Sequence, residues 1–172
     1  MDITNYITEV EGFPRQGISF KDTTPILAHP QAMAFVTAAF AAYGQAVDAT
    51  VVVGPEARGF AFGTPTALEM GVGFVPVRKP GKLPRPVVSV EYSLEYGSDR
   101  LSMHSDAVQP GDRVLIVDDL LATGGTVRAT AQLVEALGAQ VVGCAFIIEL
   151  LGLPGRDVLS GHDLLTLTQY SC

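Results

Sequence analysis

Two adjacent acidic residues, followed by a run of small residues, are the most chemically informative feature of the sequence. They lie in the segment VLIVDDLLATGGT, at positions 114–126. Its first four residues are apolar, which is typical of a buried strand, and helical periodicity begins at its last residue. Backbone N–H groups are unpaired at the start of a helix, so a glycine-containing loop there can surround an anion. We therefore predict a phosphate-binding loop formed by Ala122, Thr123, Gly124, Gly125 and Thr126.

The acidic pair indicates what binds beside the phosphate. Asp118 and Asp119 directly follow the apolar strand, where an ionised carboxylate costs free energy unless it is paired or hydrogen-bonded. Two vicinal hydroxyls, such as those of a ribose, would satisfy them. A plainer interpretation makes Gly124 and Gly125 a turn and Thr126 a helix cap, but it leaves the acids unexplained. The loop contains neither GxxxxGK[ST] nor GxGxxG, the motifs of triphosphatase and dinucleotide sites.

A cluster of positive charge contrasts with the acidic composition of the chain. The formal net charge is −7, which argues against a broad nucleic-acid-binding surface. Even so, residues 78–85 contain four of the eleven basic residues. Arg78, Lys79 and Lys82, together with Arg58, supply the charge that a pyrophosphate group would need. An isolated cluster of this kind is often only a solvated loop, but a predicted phosphate loop in the same chain favours binding.

Size and composition indicate a single soluble domain over residues 1–172. The chain is 48% hydrophobic and 17% charged, which excludes disorder by composition, and its apolar runs are too short to span a membrane. The opening MDITNYITEV has no basic region or apolar core of a secretory signal, so we expect a cytoplasmic protein. Cys144 and Cys172 do not form a metal-binding spacing and are expected to be free thiols.

Strands and helices alternate along the chain. Helices are predicted at 30–43, ended by Gly44, at 59–70 and at 126–137, ended by Gly138. Strands are predicted at 50–53, 74–77, 87–92, 100–103, 114–117 and 140–148, with a proline-rich loop at 79–86. This βαβ order predicts an α/β fold with a mostly parallel sheet and a ligand crevice at the carboxyl ends of its strands.

The segment 114–126 closely resembles the ribose-phosphate motif of the type I phosphoribosyltransferases. Further matching motifs are GPEARGF at 54–60, RKPGKLP at 78–84, YSLEYG at 92–97, FP at 13–14, GI at 17–18, Phe20 and Asp22. In this combination they are similar to the adenine-specific members of the family across nearly the whole chain. The resemblance implies a central parallel sheet flanked by helices, a small hood from the N- and C-terminal segments, and a flexible catalytic loop.

The resemblance also implies a reaction. Adenine N9 would displace pyrophosphate from C1′ of phosphoribosyl pyrophosphate with inversion, giving AMP and pyrophosphate. Asp118 and Asp119 would orient the ribose hydroxyls and favour the positive charge that develops on the sugar. The implied cofactor is Mg²⁺, which would be held through substrate oxygens and water and not by direct protein ligands.

Other site residues follow from the matched motifs. Glu56, Ala57 and Arg58 would form a turn that presents backbone amides to the pyrophosphate, with a cis peptide bond that is frequent in the family. Glu95 is the candidate for proton transfer with the purine, and Tyr96 for packing against the reacting groups.

Base recognition is implied at four positions. Phe20 would stack near the purine, while the main chain of Ser19 and Lys21 would hydrogen-bond its edge. Leu150 would pack against the other face of the base. Because the edge contacts come from the main chain, the identity of these side chains says little about specificity.

Two alternatives remain open from the sequence. One is a regulator that senses phosphoribosyl pyrophosphate and binds nucleic acid, but it would not need Arg58, the 78–85 cluster and Glu95 together. The other is an enzyme of the same family that acts on guanine or xanthine. Members of the family are usually homodimers, so we also expect a homodimer. The sequence contains no HExxH or GxSxG motif of the common hydrolases.

Overall fold

The computed structural model of the protein describes residues 1–93 and 98–171. A five-stranded parallel sheet forms the centre of the fold. Its strands are β3 (Val51–Pro55), β4 (Gly73–Val77), β7 (Arg113–Leu121), β8 (Gln140–Leu151) and β9 (Leu164–Ser171). The spatial order is β4-β3-β7-β8-β9, and every neighbouring pair is parallel. The predicted α/β class is confirmed.

Helices and two hairpins surround the sheet. The helices are α1 (Thr24–Ala28), α2 (Pro30–Ala46), α3 (Arg58–Met70), α4 (Gly125–Ala136) and α5 (Gly155–Val158), after a 3-10 helix at Ile3–Tyr6. The antiparallel hairpins pair β1 (Thr8–Glu11) with β2 (Ser19–Asp22), and β5 (Val87–Ser93) with β6 (Ser98–His104). Among the described residues, no helix is long and apolar enough to cross a membrane.

The sheet is covered on both faces, and for that reason its strands are apolar on both sides. Neighbouring residues of β7 alternate between two cores: Val114 and Ile116 pack with α4 and the β5–β6 hairpin, while Leu115 and Val117 pack with α1, α2 and α3. Burial of a large side chain such as Phe40, which has no exposed surface, contributes roughly 2–3 kcal/mol. This two-sided packing holds the carboxyl ends of the strands in fixed positions.

The chain adds strands to opposite sides of β3 before and after it forms β7, so the topology of the sheet switches between β3 and β7. From β3 the chain crosses to β4 on one side, and it later returns to place β7, β8 and β9 on the other side. In open parallel sheets, ligands bind at such a reversal because the two outgoing connections leave in opposite directions and open a crevice. The segments that leave β3 and β7 are therefore the ones expected to form a site.

Several predicted boundaries were wrong, among them the end of β8, which continues to Leu151, and tertiary contacts explain two others. Gly44 does not end the second helix, which continues to Ala46. A Cβ at Gly44 would lie 2.6 Å from Met70 Sδ, so the glycine permits close packing between α2 and α3. Similarly, β7 does not stop at Val117, because Asp118 continues the ladder opposite Phe146 of β8. On the β3 side the ladder ends at Ile116, and this leaves that edge of Asp118 open.

Candidate active site

A cleft of about 260 Å³ lies where the segments that follow β3 and β7 meet. Its lining residues are Glu56, Ala57, Arg58, Asp118, Asp119, Leu120, Leu121, Ala122, Thr123, Gly124, Gly125, Thr126 and Val127. The structure thus brings together the predicted acidic pair, the whole predicted phosphate loop and the predicted turn at 56–58. The turn at 56–58 is remote in sequence from the segment 114–126 that contains the other two features, and the position of β3 beside β7 explains why they converge.

The predicted phosphate loop leads into the first turn of α4. Gly124 is the residue that precedes the helix, with φ of +80°, and no side chain caps this helix start. Thr126 is therefore not the cap but a residue of the first turn. Uncapped N–H groups and the positive end of the helix dipole favour an anion at this position. Tyr92 of β5 covers the loop, since a Cβ at Gly125 would lie 3.5 Å from its ring.

Asp119 is buried and fully engaged by protein groups. Its side chain is only 3% exposed, and its Oδ2 accepts hydrogen bonds from Arg58 Nε at 2.5 Å and from Thr23 Oγ1 at 2.9 Å. Arg58 begins α3 and Thr23 immediately precedes α1, so this one carboxylate joins three elements. A buried carboxylate requires such partners, because an unpaired one would be strongly destabilising.

Asp118 is half-buried, and its carboxyl group lies beside that of Asp119. Its Oδ1 accepts a hydrogen bond of 2.9 Å from the backbone N–H of Asp119. Burial, followed by the repulsion of the nearby Asp119 carboxylate, raises the pKa of Asp118 to about 8. Two adjacent carboxyl groups cannot both ionise easily in a partly dry cleft. Asp118 is thus the group whose charge depends most on what enters the site.

Three of the predicted pyrophosphate-binding cations form ion pairs with carboxylates. Arg58 pairs with Asp119, Arg78 Nε lies 2.8 Å from Glu56 Oε2, and Lys79 Nζ lies 3.0 Å from Asp99 Oδ2. In these pairs the carboxylates neutralise positive charges that would otherwise repel one another. Arg78 is held further by two backbone hydrogen bonds with Ser102 of β6.

Two basic residues of the 78–85 cluster occupy different surroundings. Lys82 is exposed in the loop that joins β4 to β5. Arg85 forms an exposed ion pair with Asp106 and also contacts His104. The cluster is therefore not one continuous positive patch, because its members are divided between the cleft rim and an outer surface.

The predicted turn at 56–58 contains a cis peptide bond between Glu56 and Ala57, as the resemblance implies. The turn directly follows β3, and its last residue begins α3. Glu56 is held in place by its backbone N–H, which donates to the Val77 carbonyl oxygen at 2.9 Å, and by its ion pair with Arg78.

The predicted base-binding residues lie on the β1–β2 hairpin and at the end of β8. The Phe20 ring packs edge-on against Phe13 at 5.1 Å, and Arg58 Cζ lies 5.8 Å from the Phe20 ring centre. This contact places Phe20 beside the Arg58–Asp119 pair. Lys21 Nζ is 2.5 Å from Glu9 Oε2 and 5.0 Å from the Tyr170 ring centre.

Ser19 and Leu150 complete that group. The Ser19 hydroxyl donates to Glu9 and accepts from Lys21, so these two polar side chains of β2 are bonded within the hairpin. Leu150 is partly buried and pairs with Tyr170 of β9, the ring that underlies Lys21. The hairpin and the ends of β8 and β9 thus form one continuous surface.

Glu95 and Tyr96 lie outside the described residues, and their predicted roles stay predictions. The strands that flank them are described: β5 ends at Ser93 and β6 begins at Ser98. Tyr92, near the end of β5, contacts the phosphate loop as noted above. The β5–β6 hairpin therefore contacts the site through Tyr92 of β5.

Several residues that shape the site were not predicted. Thr23 follows the matched N-terminal motif, and its threonine–threonine–proline context indicates only a helix start. Glu149 and Arg156 form a bidentate ion pair at the carboxyl end of β8, with both distances 2.7 Å. They are seven residues apart across a turn, a spacing that gives no recognisable signal in the sequence.

The pKa of Asp118 predicts how stability depends on pH. Because the folded-state pKa is raised from 3.8 to about 8, the wild-type protein loses stability as pH rises through this range. Asp118→Asn removes that titration. We therefore expect the free energy of unfolding of Asp118→Asn, relative to wild type, to increase between pH 4 and pH 8.

Urea denaturation at several pH values, without ligands, measures this difference. A difference that stays constant or decreases over the same range would contradict the assigned environment of Asp118.

Comparison with known proteins identifies the family. A model described as a phosphoribosyl transferase domain matches residues 22–157. An adenine phosphoribosyltransferase from Alkaliphilus oremlandii (strain OhILAs) is 55% identical over 170 residues, covering 99% of both chains. The crystal structure of adenine phosphoribosyltransferase from Thermoanaerobacter pseudethanolicus ATCC 33223 matches with a TM-score of 0.95 and 50% identity, covering 98% of each chain.

A third relative is the Saccharomyces cerevisiae adenine phosphoribosyltransferase, complexed with D-2,5-dideoxy-2,5-imino-altritol 1,6-bisphosphate and adenine. It matches with a TM-score of 0.92 and 39% identity, covering 96% of each chain. These relatives extend over the whole fold, including the hairpin and the cleft. The chain therefore belongs to the phosphoribosyltransferase family, and the three relatives named above, which match it along nearly its whole length, are adenine phosphoribosyltransferases.

Proposed function

We propose that this protein transfers the 5-phosphoribosyl group from phosphoribosyl pyrophosphate to N9 of adenine, giving AMP and pyrophosphate. The observation that carries the proposal is the convergence, in one cleft, of an uncapped helix start with two adjacent carboxylates at the carboxyl end of β7. An anion site beside a diol-binding acidic pair matches a sugar phosphate. Relatives of the adenine-specific branch over the whole chain support the choice of base.

The ribose 5-phosphate would bind at the predicted phosphate loop, Ala122 to Thr126. Backbone N–H groups at the start of α4 would donate to the phosphate oxygens, with the Thr123 and Thr126 hydroxyls as additional donors. The neighbouring Asp118 and Asp119 would accept hydrogen bonds from the ribose hydroxyls. The yeast relative, bound to an imino-sugar bisphosphate, is consistent with a sugar phosphate in this position.

The pyrophosphate would bind on the opposite side of the cleft, at the turn Glu56–Ala57–Arg58. Arg58 belongs to that turn and Arg78 is paired with its Glu56, while Lys79 is paired with Asp99 of β6 and exposed Lys82 lies in the loop between β4 and β5. The oxygens of a bound pyrophosphate would replace some of the carboxylates as ion-pair partners of these cations. Release of Arg58 from Asp119 would at the same time free that carboxylate for the sugar.

Mg²⁺ fits this site through the acidic pair and the substrate. The ion would be held mainly through substrate oxygens and water, and the Asp118 and Asp119 carboxylates that line the cleft would contact it by way of water. When bound, Mg²⁺ neutralises the pyrophosphate and stabilises its departure. It would also favour the ionised form of Asp118, because a nearby cation lowers the pKa of a carboxyl group.

Catalysis would depend on stabilising separated charge and excluding water. The Asp118 and Asp119 carboxylates face the sugar, on which positive charge develops as pyrophosphate leaves. Phe20 and Leu150 would hold adenine between them, with the main chain of Ser19 and Lys21 at its edge. Glu95 would exchange a proton with the purine.

The loop that carries Glu95 would cover the reacting groups, and Tyr96 would pack against them. Closure of a loop over a site excludes water and strengthens the electrostatic interactions inside it. The anchoring of β5 on the phosphate loop through Tyr92 supports this position for the loop.

The proposal includes the domain organisation, the cellular location and the oligomeric state of the protein. We infer one domain over residues 1–172, acting in the cytoplasm as a homodimer without nucleic-acid or membrane partners. Cys144 is buried and has a free thiol, which suits a reducing compartment. Leu68 of α3 is 82% exposed, an apolar side chain that a second subunit could cover. Light scattering on the purified protein measures the oligomeric state.

The direct test of function is nucleotide synthesis with each purine in turn. Purified protein with Mg²⁺ and phosphoribosyl pyrophosphate should form AMP from adenine, and little or no GMP from guanine or XMP from xanthine. Chromatography of the products measures this preference. Preferential formation of GMP or XMP would assign a different base, and binding of the sugar donor without any turnover would favour a sensor.

A substitution in the phosphate loop tests where the sugar phosphate binds. Gly124 has φ of +80°, and a Cβ there would lie 3.0 Å from the Gly155 carbonyl oxygen. Gly124→Ala should therefore distort the loop and weaken binding of phosphoribosyl pyrophosphate on the order of tenfold or more. Isothermal titration calorimetry measures the affinity.

Gly111→Ala is the matched control. Gly111 also has a positive φ, of +98°, but no atom lies within 4 Å of its Cβ position, and it belongs to a turn away from the cleft. Gly111→Ala therefore introduces similar backbone strain but no contact with the phosphate loop. Unchanged affinity in Gly124→Ala, or an equal loss in both variants, would place the phosphate elsewhere.

Replacement of Glu95 tests its proposed proton transfer. General acid–base groups typically contribute about 10²-fold or more to the rate, so Glu95→Gln should lower kcat by roughly that factor with a small change in KM for adenine. Glu91→Gln on β5 is the control, since Glu91 forms an exposed pair with Arg100. If steady-state kinetics gave the same kcat for Glu95→Gln as for the wild-type protein at every pH, this role would be excluded.

A further inference from the structure

A buried carboxylate outside the cleft organises the carboxyl end of β8. Glu149 is 4% exposed and accepts four hydrogen bonds from side chains. Arg156 donates through Nε to Oε1 and through Nη2 to Oε2, both at 2.7 Å. Gln169 Nε2 and Thr166 Oγ1 of β9 donate to Oε2 at 2.8 and 3.3 Å. The carboxylate thus joins β8, β9 and α5, and none of the proposed catalytic steps uses it.

The buried carboxylate is compensated by its hydrogen bonds, which offset the cost of removing it from water. The bidentate Arg156 guanidinium, followed by Gln169 and Thr166, holds the pKa of Glu149 down to about 2 despite its burial. Arg156 itself is half exposed, so only one partner is desolvated. Planar, two-point pairing fixes the direction of the arginine side chain as well as its position.

The residue before Arg156 contacts the back of the phosphate loop. A Cβ at Gly155 would lie 2.2 Å from the Ala122 carbonyl oxygen and 2.9 Å from Leu121 Cδ1. From the other side, a Cβ at Gly124 would lie 3.0 Å from the Gly155 carbonyl oxygen. The backbone at Gly155 is therefore packed directly against the predicted phosphate loop, with no side chain between them.

Helix α5 cannot hold this position by itself. It has only four residues, and helices this short are not stable without tertiary contacts. Two anchors are present: the buried Leu159 just after the helix, and the ion pair between Arg156 and Glu149. Arg156 is adjacent in sequence to the residue that contacts the loop, so its anchor acts at the point of contact.

We propose that Glu149 is a positioning residue for the phosphate loop: through Arg156 it fixes Gly155 against Ala122 and Gly124, and thereby sets the loop that receives the sugar phosphate. The inference rests on the proposed function and extends it to a pair that touches no substrate. It predicts a specific kinetic effect, on the sugar donor and not on the base.

The adenine side offers the competing explanation. Glu149 immediately precedes Leu150, so it could instead support the base-binding surface. The contacts of its carboxylate run to α5 and β9, however, and α5 contacts the phosphate loop. The two explanations differ in which Michaelis constant should change.

A double-mutant cycle separates them. Glu149→Gln, Arg156→Gln and the double variant should each raise KM for phosphoribosyl pyrophosphate roughly tenfold, as for other residues that orient a binding group indirectly. KM for adenine should stay within about twofold. The double variant should be no worse than the worse single variant, because both remove the same anchor. Arg156→Lys, which keeps the charge, should recover part of the affinity.

Two further variants keep the test decisive. Gly155→Ala leaves the ion pair intact but inserts a methyl group at the loop contact, and it should produce the same selective loss. Arg85→Gln removes an arginine from the exposed pair with Asp106 and should leave both Michaelis constants unchanged. Urea denaturation of each variant shows whether it is folded at the assay temperature.

The outcomes are distinct. A selective rise in KM for the sugar donor in folded variants supports the positioning role. A rise in KM for adenine, equal changes in both constants, or no change would overturn it. Absence of AMP synthesis by the wild-type protein would instead refute the proposed function. In that case calorimetry with ribose 5-phosphate on the same variants still decides whether Glu149 positions the loop.

Discussion

The burial of two adjacent carboxylates at the carboxyl end of β7 is the constraint on which the rest of the site depends. A parallel sheet covered on both faces leaves little water at this edge, so Asp119 needs the hydrogen bonds of Arg58 and Thr23. Burial, followed by repulsion from the Asp119 carboxylate, raises the pKa of Asp118. A ligand that brings hydroxyl groups and positive charge would relieve this repulsion. We therefore propose that the acidic pair binds the sugar together with a cation.

The same electrostatic balance extends to the opposite side of the cleft. Three of the four cations proposed to bind pyrophosphate, Arg58, Arg78 and Lys79, are paired with Asp119, Glu56 and Asp99. Binding would then exchange internal ion pairs for contacts with the substrate, without burying new unpaired charge. The exchange at Asp119 couples the two halves of the site, since Arg58 can leave it only when another anion is available. We infer that the sugar diol and the pyrophosphate bind in a mutually dependent way.

Local features of the site could be predicted from the sequence, whereas long-range ones could not. The position of the predicted phosphate loop, in the cleft and at the start of α4, could be predicted because glycines between a strand and a helix are a local pattern. The first hairpin was not predicted, because β1 is fully exposed and contains a single apolar residue, Val10. The contacts of Asp119 with Arg58 and Thr23 join residues 61 and 96 positions apart, which no single-sequence pattern indicates. Gly44 was wrongly predicted to end a helix because its packing partner, Met70, is equally remote.

A crystal structure of the protein with phosphoribosyl pyrophosphate and Mg²⁺ tests the central claim most directly. The account predicts the 5-phosphate at the start of α4, against residues 122–126, with both ribose hydroxyls hydrogen-bonded to Asp118 and Asp119. It also predicts that Arg58 has moved from Asp119 to the pyrophosphate. A 5-phosphate bound elsewhere, or an Arg58–Asp119 pair unchanged beside a fully bound substrate, would contradict it.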